Sequence, residues 1–78
     1  MLSKKEIEAA LRKMIKENRG DDLDEAMADF GADKSMKEIG YATIIFDDLY
    51  LEVTGKEIEN PTPESVKRLY DEDGNFIG

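Results

Sequence analysis

Two long segments of the chain place apolar side chains three and four residues apart, which is the spacing of one face of an α-helix. In the first segment these residues are Ile7, Leu11, Met14 and Ile15. Ser3 followed by Glu6 has the spacing of a capping box, in which each side chain accepts a hydrogen bond from the other residue's backbone N–H. We therefore expect an amphipathic helix over residues 3–18, which ends at Arg19 and Gly20.

The second segment also begins with a capping box, formed by Ser35 and Glu38. Its broad apolar face comprises Met36, Ile39, Ala42, Thr43, Ile45, Phe46, Leu49 and Val53. A β-strand is the alternative, because several of these residues favour extended backbone. The length of the segment and the failure of two-residue alternation between Ala42 and Phe46 favour a helix over residues 35–53.

The segments between and after these two helices have weaker patterns. Residues 19–34 interleave acidic and apolar side chains, so we expect a long ordered loop with one helical turn around Asp24–Ala28. Thr62 and Pro63 are typical of the N-cap and first position of a helix. The remaining expected elements are a short helix over 56–60 that turns Ile58 inward, a helix over 63–71 and a frayed tail over 72–78. Together they predict an all-α fold, a small four-helix bundle in a single domain of residues 1–78.

Charge narrows the classes of partner. The chain has 11 basic and 19 acidic side chains and a net charge of −8. The acidic excess lies beyond residue 19, where five basic side chains stand against sixteen acidic ones. This balance argues against nucleic acid and anionic membranes as partners and favours basic proteins.

Missing residue types exclude several chemistries. The chain has no Cys and no His, which excludes disulfides, thiolate metal sites, cysteine nucleophiles and histidine general bases. The acidic run that begins at Asp71 resembles the start of a calcium loop, but Phe76 occupies the sixth position, where such a loop needs Gly, and we assign no metal. No apolar run could span a bilayer and no secretory signal is present, so we expect a cytoplasmic protein. The length of 78 residues favours a free-standing protein, and the alternative is a domain of a larger synthase.

The entry to the second predicted helix resembles that of the acyl and peptidyl carrier proteins, whose signature is Gly-x-Asp-Ser-Leu. Here Gly31 to Asp33 match its first part and Ser35-Met36 match its second, with Lys34 inserted between them. Counted from the serine, the positions at which the family buries apolar residues are Met36, Ile39, Ala42, Ile45, Leu49 and Val53. The segment Asn60–Pro63 is similar to the start of the family's last helix.

The resemblance implies a non-catalytic carrier of acyl-carrier-protein type. Ser35 would bear a covalent 4′-phosphopantetheine arm, with Asp33 and Met36 flanking it, and would carry acyl or aminoacyl groups as thioesters in fatty acid, polyketide or related biosynthesis. A serine at a helix N-terminus places a phosphate near free backbone N–H groups and the positive end of the helix dipole. The alternative is that Ser35 only caps the helix, in an unmodified acidic adaptor module with the same fold.

The resemblance also implies partners. Acidic residues of the second predicted helix would dock basic patches on a phosphopantetheinyl transferase and on acyl ligases or synthases, and the alternative is that they form a solvated helix face. These residues are Glu38, Asp47, Asp48 and Glu52. We expect a monomer that binds neither nucleic acid nor membranes.

Overall fold

The computed structural model describes residues 2–18 and 23–78, and this part of the chain is all-α, as predicted. Its helices are α1 (Lys4–Asn18), α2 (Leu23–Gly31), α3 (Met36–Thr54) and α4 (Glu64–Lys67). No strand occurs among these residues, although a single backbone bridge joins Tyr70 to Phe76. None of these helices is long and apolar enough to cross a membrane.

Helices α1 and α3 pack against each other and form the core. The buried residues of this core are Ile7, Leu11 and Ile15 on α1 and Tyr41, Ala42, Phe46 and Leu49 on α3. Both helices lie within one residue of their predicted bounds, and both predicted capping boxes are confirmed by their reciprocal hydrogen bonds. The apolar periodicity and the capping boxes therefore located both helices correctly.

The prediction of a loop over residues 19–34 is wrong for most of the described part of that segment. Residues 23–31 form α2, which is longer than the single turn that we expected. Met27 and Phe30 are three residues apart, so a helix turns both of them to the same side, where they pack against the core. This packing outweighs the weak helix propensity of Asp24 and Asp29 in the same segment. Residues 19–22 lie outside the described part of the chain.

The short helix predicted over residues 56–60 is also wrong, because this segment has no helical turn. Gly55 ends α3 in the left-handed conformation, with φ of +73°, and donates its N–H to Leu51 O at 2.8 Å. The N–H of Lys56 is then bound by the side chain of Thr54 at 3.2 Å rather than by a helical carbonyl. Ile58 still packs against the core, as expected.

The helix predicted over residues 63–71 is shorter than expected. Helix α4 ends at Lys67 and continues as tight turns, in which Leu69 N–H donates to Val66 O at 3.1 Å. Its N-cap residue is Pro63 and makes no side-chain capping bond. Thr62, the predicted N-cap, instead binds a side chain of α3 through its N–H and its hydroxyl group.

The prediction of a frayed tail over residues 72–78 is wrong for residues 72–77. An Asp71 carboxylate oxygen accepts hydrogen bonds from the N–H groups of Asp73 and Asn75, both at 2.9 Å, which closes a tight turn. At the tip of this turn Gly74, with φ of +89°, is buried against α3. The partner surface on α3 is Gly40, where an added Cβ would lie 2.2 Å from the Gly74 carbonyl oxygen. We call residues 70–76 the Gly74 turn.

Candidate functional site

Ser35 is the N-cap residue of α3, with extended backbone angles (φ −71°, ψ 162°). Its Oγ accepts a hydrogen bond from the N–H of Glu38 at 3.2 Å, and the residue is exposed to solvent. The turn before it is closed by the N–H of Lys34, which donates to Gly31 O at 3.2 Å. The hydroxyl group therefore lies at the surface, at the start of the longest helix among the described residues.

The inserted Lys34 folds back toward α2. Its ammonium group lies 2.7 Å from an Asp33 carboxylate oxygen and 4.8 Å from the centroid of the Phe30 ring. The hydrogen bond from Lys34 lowers the pKa of Asp33. The insertion is thus accommodated between Asp33 and the ring of α2, and Ser35 keeps its place as the N-cap.

The prediction of a solvated helix face is wrong for Glu38, because only 6 % of this residue is exposed, and its docking role stays a prediction. Its Oε1 accepts from the Ser35 N–H at 2.9 Å and its Oε2 from the Leu2 N–H at 2.8 Å. These bonds favour the charged carboxylate and lower the pKa of Glu38 to about 2, with the bond from Ser35 as the largest cause. Glu38 therefore ties the start of α3 to the chain just before α1.

Asp47 is also absent from the predicted solvated face of α3, since only 13 % of its side chain is exposed. Its carboxylate accepts from the Thr62 N–H at 2.9 Å and lies 3.2 Å from the Lys67 ammonium group. The carboxylate therefore holds the segment around α4 against α3. These contacts within the fold explain the position of Asp47, and no partner protein is needed to explain it.

The other two predicted docking residues are exposed. Glu52 pairs with Arg12 of α1 through the guanidinium Nε and through Nη2 at 3.3 Å, and the bond to Arg12 lowers the pKa of Glu52. Asp48 has no hydrogen bond or ion pair with any residue that the structure describes. The solvated acidic surface of α3 is therefore smaller than predicted, with Asp48 and Glu52 as its members.

Met36 is 77 % exposed, whereas the family register predicts that it is buried. It lies roughly 120° around the helix from the buried Ala42, because successive residues of an α-helix differ by about 100°. The same register succeeds further along α3, where Leu49 is buried and Ile45 packs against the core. The side chain after Ser35 thus faces solvent beside the hydroxyl group.

Three features of this site were not predicted from the sequence. The Leu2 N–H bond to Glu38 and the Thr62 contacts with Asp47 join residues 15 or more positions apart, which local patterns do not specify. The close contact of Gly40 with the Gly74 turn did have a signal, since a glycine inside a helix often marks the approach of another backbone segment.

The part of the chain that the structure describes contains no cluster of three or more side chains that could hold a metal ion. The comparisons with known proteins gave no match to a family model, a curated protein or a solved structure. The functional assignment of this chain therefore depends on its own residues and on their geometry.

Proposed function

We propose that this chain is a carrier protein of the acyl-carrier type, whose Ser35 hydroxyl group accepts 4′-phosphopantetheine and thereby carries acyl or aminoacyl thioesters. The observation that supports it most is the exposed Ser35 hydroxyl group at the N-terminus of the 19-residue helix α3. The Gly31-Ala32-Asp33 sequence before it and the apolar register after it are the second support.

The surroundings of Ser35 suit a phosphodiester. The backbone N–H groups of Met36 and Lys37 have no acceptor among the described residues, and the positive end of the α3 dipole lies at the same place. The Lys37 side chain next to them is exposed and carries positive charge. When bound, the group supplies the thiol that this cysteine-free chain lacks.

Attachment forms a phosphodiester at Ser35 Oγ and breaks the pyrophosphate bond of coenzyme A. Adenosine 3′,5′-bisphosphate is the leaving group, and the hydroxyl group gives its proton to a base. The nearest carboxylate in the capping box is that of Glu38, which is a weak base with a pKa of about 2. Both of its oxygens already accept backbone N–H groups, from Ser35 and Leu2. A transferase must therefore supply the base, and the role of this chain is to present the hydroxyl group.

The partners that we propose are a phosphopantetheinyl transferase and the ligases or synthases that load and use the arm. A net charge of −8 attracts basic surfaces and speeds encounter at low salt. Asp48 is the free carboxylate on α3 for such contacts, and Glu52 contributes if it exchanges Arg12 for a partner's cation. The cytoplasmic location remains a prediction.

The test is the intact mass after incubation with coenzyme A, magnesium and a panel of phosphopantetheinyl transferases. We expect a gain of one phosphopantetheine in the natural chain and in Ser3→Ala, and no gain in Ser35→Ala. Ser3 is the matched control, because its Oγ also accepts a capping bond at 3.2 Å. The proposal fails if no transferase modifies the chain, or if Ser35→Ala is still modified.

The second candidate function is an acidic adaptor that keeps the helical fold without the arm. The Ser35 hydroxyl bond to the Glu38 N–H favours it, because helix capping alone accounts for this serine. The two functions differ in their response to Ser35→Ala, since an adaptor keeps its binding partner and a carrier loses its cargo.

A further inference from the structure

A cavity of about 180 Å³, called here the α1–α3 cavity, lies where the starts of α1 and α3 meet the Gly74 turn. The apolar part of its lining is formed by Leu2, just before α1, by Ile7 of α1 and by Tyr41 of α3. Ile7 and Tyr41 are buried in the core, and Leu2 packs against it. In another protein a cavity of about 150 Å³ binds benzene, so the α1–α3 cavity has room for a ring or chain of about six carbon atoms.

Four charged side chains of the described residues also line the α1–α3 cavity, and three of them are already compensated within the fold. Lys4 forms an ion pair with Asp73, so these two charges neutralise each other. The two carboxylate oxygens of Glu38 each accept a hydrogen bond from a backbone N–H group, at 2.9 and 2.8 Å. The fourth charged side chain is Lys37.

Lys37 is the charged group of the lining that is left to bind a ligand. Its side chain is exposed and has no hydrogen bond or ion pair with any residue that the structure describes. The pKa of Asp71 is lowered mainly by the Asn75 N–H and, to a smaller extent, by the charge of Lys37. The Asp71 carboxylate already accepts three hydrogen bonds inside the Gly74 turn, so it does not occupy the Lys37 ammonium group.

The net charge of −8 opposes an anionic ligand at long range, but salt screens this term. The Debye length at physiological salt is about 8 Å, which is short beside the extents of the chain, 30 × 25 × 20 Å. Three carboxylates interact electrostatically with groups of the lining without belonging to it: Glu6, Glu8 and Glu72. The first turns of α1 and α3 border the cavity, and their dipoles place partial positive charge there beside Lys37. The groups that line the cavity therefore favour a negative ligand group next to Lys37.

We propose that the α1–α3 cavity binds a small monocarboxylate, whose apolar body of about six carbon atoms fills the cavity and whose carboxylate pairs with Lys37. Such a ligand contacts α1, α3 and the Gly74 turn together. Because the unfolded chain has no cavity, the ligand binds only the folded chain and stabilises it. The site belongs to the unmodified chain, so this inference goes beyond the proposed function and does not depend on an arm at Ser35.

The test titrates the unmodified chain with benzoate at physiological salt and follows the NMR shifts of its backbone amides. We expect saturable shifts around Leu2, Ile7 and Tyr41, with a Kd of about 1 mM, because a ligand of so few atoms gains little binding energy. Benzyl alcohol and benzylamine carry the same ring with a neutral and a positively charged end. We expect both to bind about tenfold more weakly or worse, since neither brings an anion to Lys37.

Two substitutions test the two parts of the site. Lys37→Gln removes the cation, and we expect it to weaken benzoate binding about tenfold. The matched control is Lys5→Gln, because Lys5 is also an exposed lysine but does not line the cavity, and we expect its Kd to be unchanged. Leu2→Phe places a larger side chain in the lining and keeps the backbone N–H that binds Glu38, and we expect it to weaken benzoate binding by a similar factor.

Thermal unfolding followed by circular dichroism verifies that each variant is folded and gives a second measure of binding. Saturating benzoate should raise the unfolding midpoint of the natural chain and of Lys5→Gln more than that of Lys37→Gln. The inference is overturned if benzoate causes no saturable shifts, or if the shifts lie away from the cavity. Equal effects of Lys37→Gln and Lys5→Gln, unchanged binding in Leu2→Phe, or tighter binding of benzylamine than of benzoate would also overturn it.

Discussion

The described part of the chain contains two Ser-x-x-Glu capping boxes, and they differ in their surroundings. Ser3 with Glu6 begins α1, and Ser35 with Glu38 begins α3. The bonds are nearly equal in length, at 3.0 and 3.2 Å in the first box and 2.9 and 3.2 Å in the second. Glu6 is exposed, whereas only 6 % of Glu38 is exposed.

The difference comes from what packs against the second box. The carboxylate oxygen of Glu38 that makes no bond within the box accepts a hydrogen bond from the N–H of Leu2. Leu2 is the residue just before the first box, so this bond ties the starts of the two helices together. A cavity of about 180 Å³ beside Glu38 is bordered by Leu2, Lys37 and Asp73, the last of which belongs to the Gly74 turn. The same four-residue motif is thus a local helix start in α1 and a tertiary contact in α3.

The largest loss of stability is expected from a substitution that pushes the Gly74 turn away from α3. In Gly40→Ala the new Cβ would meet the Gly74 carbonyl oxygen at 2.2 Å and the Tyr70 ring at 2.7 Å. Because both the helix and the turn must shift, we expect a loss of about 3 kcal/mol in the free energy of unfolding, measured with urea.

Gly55→Ala is the control for this substitution. Gly55 has a positive φ but no heavy atom within 4 Å of an added Cβ, so its cost is only that of the left-handed conformation, about 1 kcal/mol. Equal losses in the two variants would contradict the close contact between Gly40 and the Gly74 turn.

The next largest loss of stability is expected in Glu38→Ala, for which Glu6→Ala is the control. Glu38→Ala removes acceptors from two backbone N–H groups, of which one belongs to the N-cap and one to Leu2, whereas Glu6→Ala removes one acceptor in solvent. We expect the loss of stability to be roughly twofold larger or more for Glu38→Ala. Urea midpoints measured at pH 7 check this difference, and equal midpoint shifts would mean that the bond to Leu2 adds nothing.

These two boxes also show how far the sequence predicts the structure. The Ser-x-x-Glu spacing and the apolar period predicted where α1 and α3 begin and most of their packed faces, because both depend on residues within one or two helical turns. Met36 is the exception, since it belongs to the predicted apolar face of α3 but is exposed. The burial of Glu38 was not predicted, since it depends on Leu2, which is 36 residues away. The ordered Gly74 turn was missed for the same reason, because Gly40 stabilises it from another element.

The pH dependence of stability should also distinguish the two boxes. In the folded chain the pKa of Glu38 is lowered from 4.5 to about 2, and the pKa of Glu6 is lowered as well. A lowered carboxyl pKa stabilises the fold above the unfolded value of 4.5, and this contribution is lost as the pH falls toward the folded value. We expect the free energy of unfolding to fall between pH 4.5 and about 2, with a smaller slope in Glu38→Gln.

Urea denaturation at several pH values across this window measures the slope. Glu6→Gln is the control, and we expect it to change the slope less than Glu38→Gln does, because a single backbone N–H and one hydroxyl group lower its pKa. An unchanged slope in Glu38→Gln would contradict the lowered pKa of this carboxyl group.

The smallest difference in stability is expected between the variants of the two N-cap serines. Ser3 and Ser35 each accept one backbone N–H at 3.2 Å, and both residues are exposed. Replacing an N-cap serine by alanine costs about 1 kcal/mol, so Ser3→Ala and Ser35→Ala should lose nearly equal amounts of stability in urea. Equal losses would mean that the glutamates and their tertiary contacts distinguish the boxes, whereas a much larger loss in Ser35→Ala would show that this hydroxyl group also has a structural partner. The first result would leave the Ser35 hydroxyl group with a capping role no greater than that of Ser3, so its removal would test the attachment of phosphopantetheine without unfolding the chain.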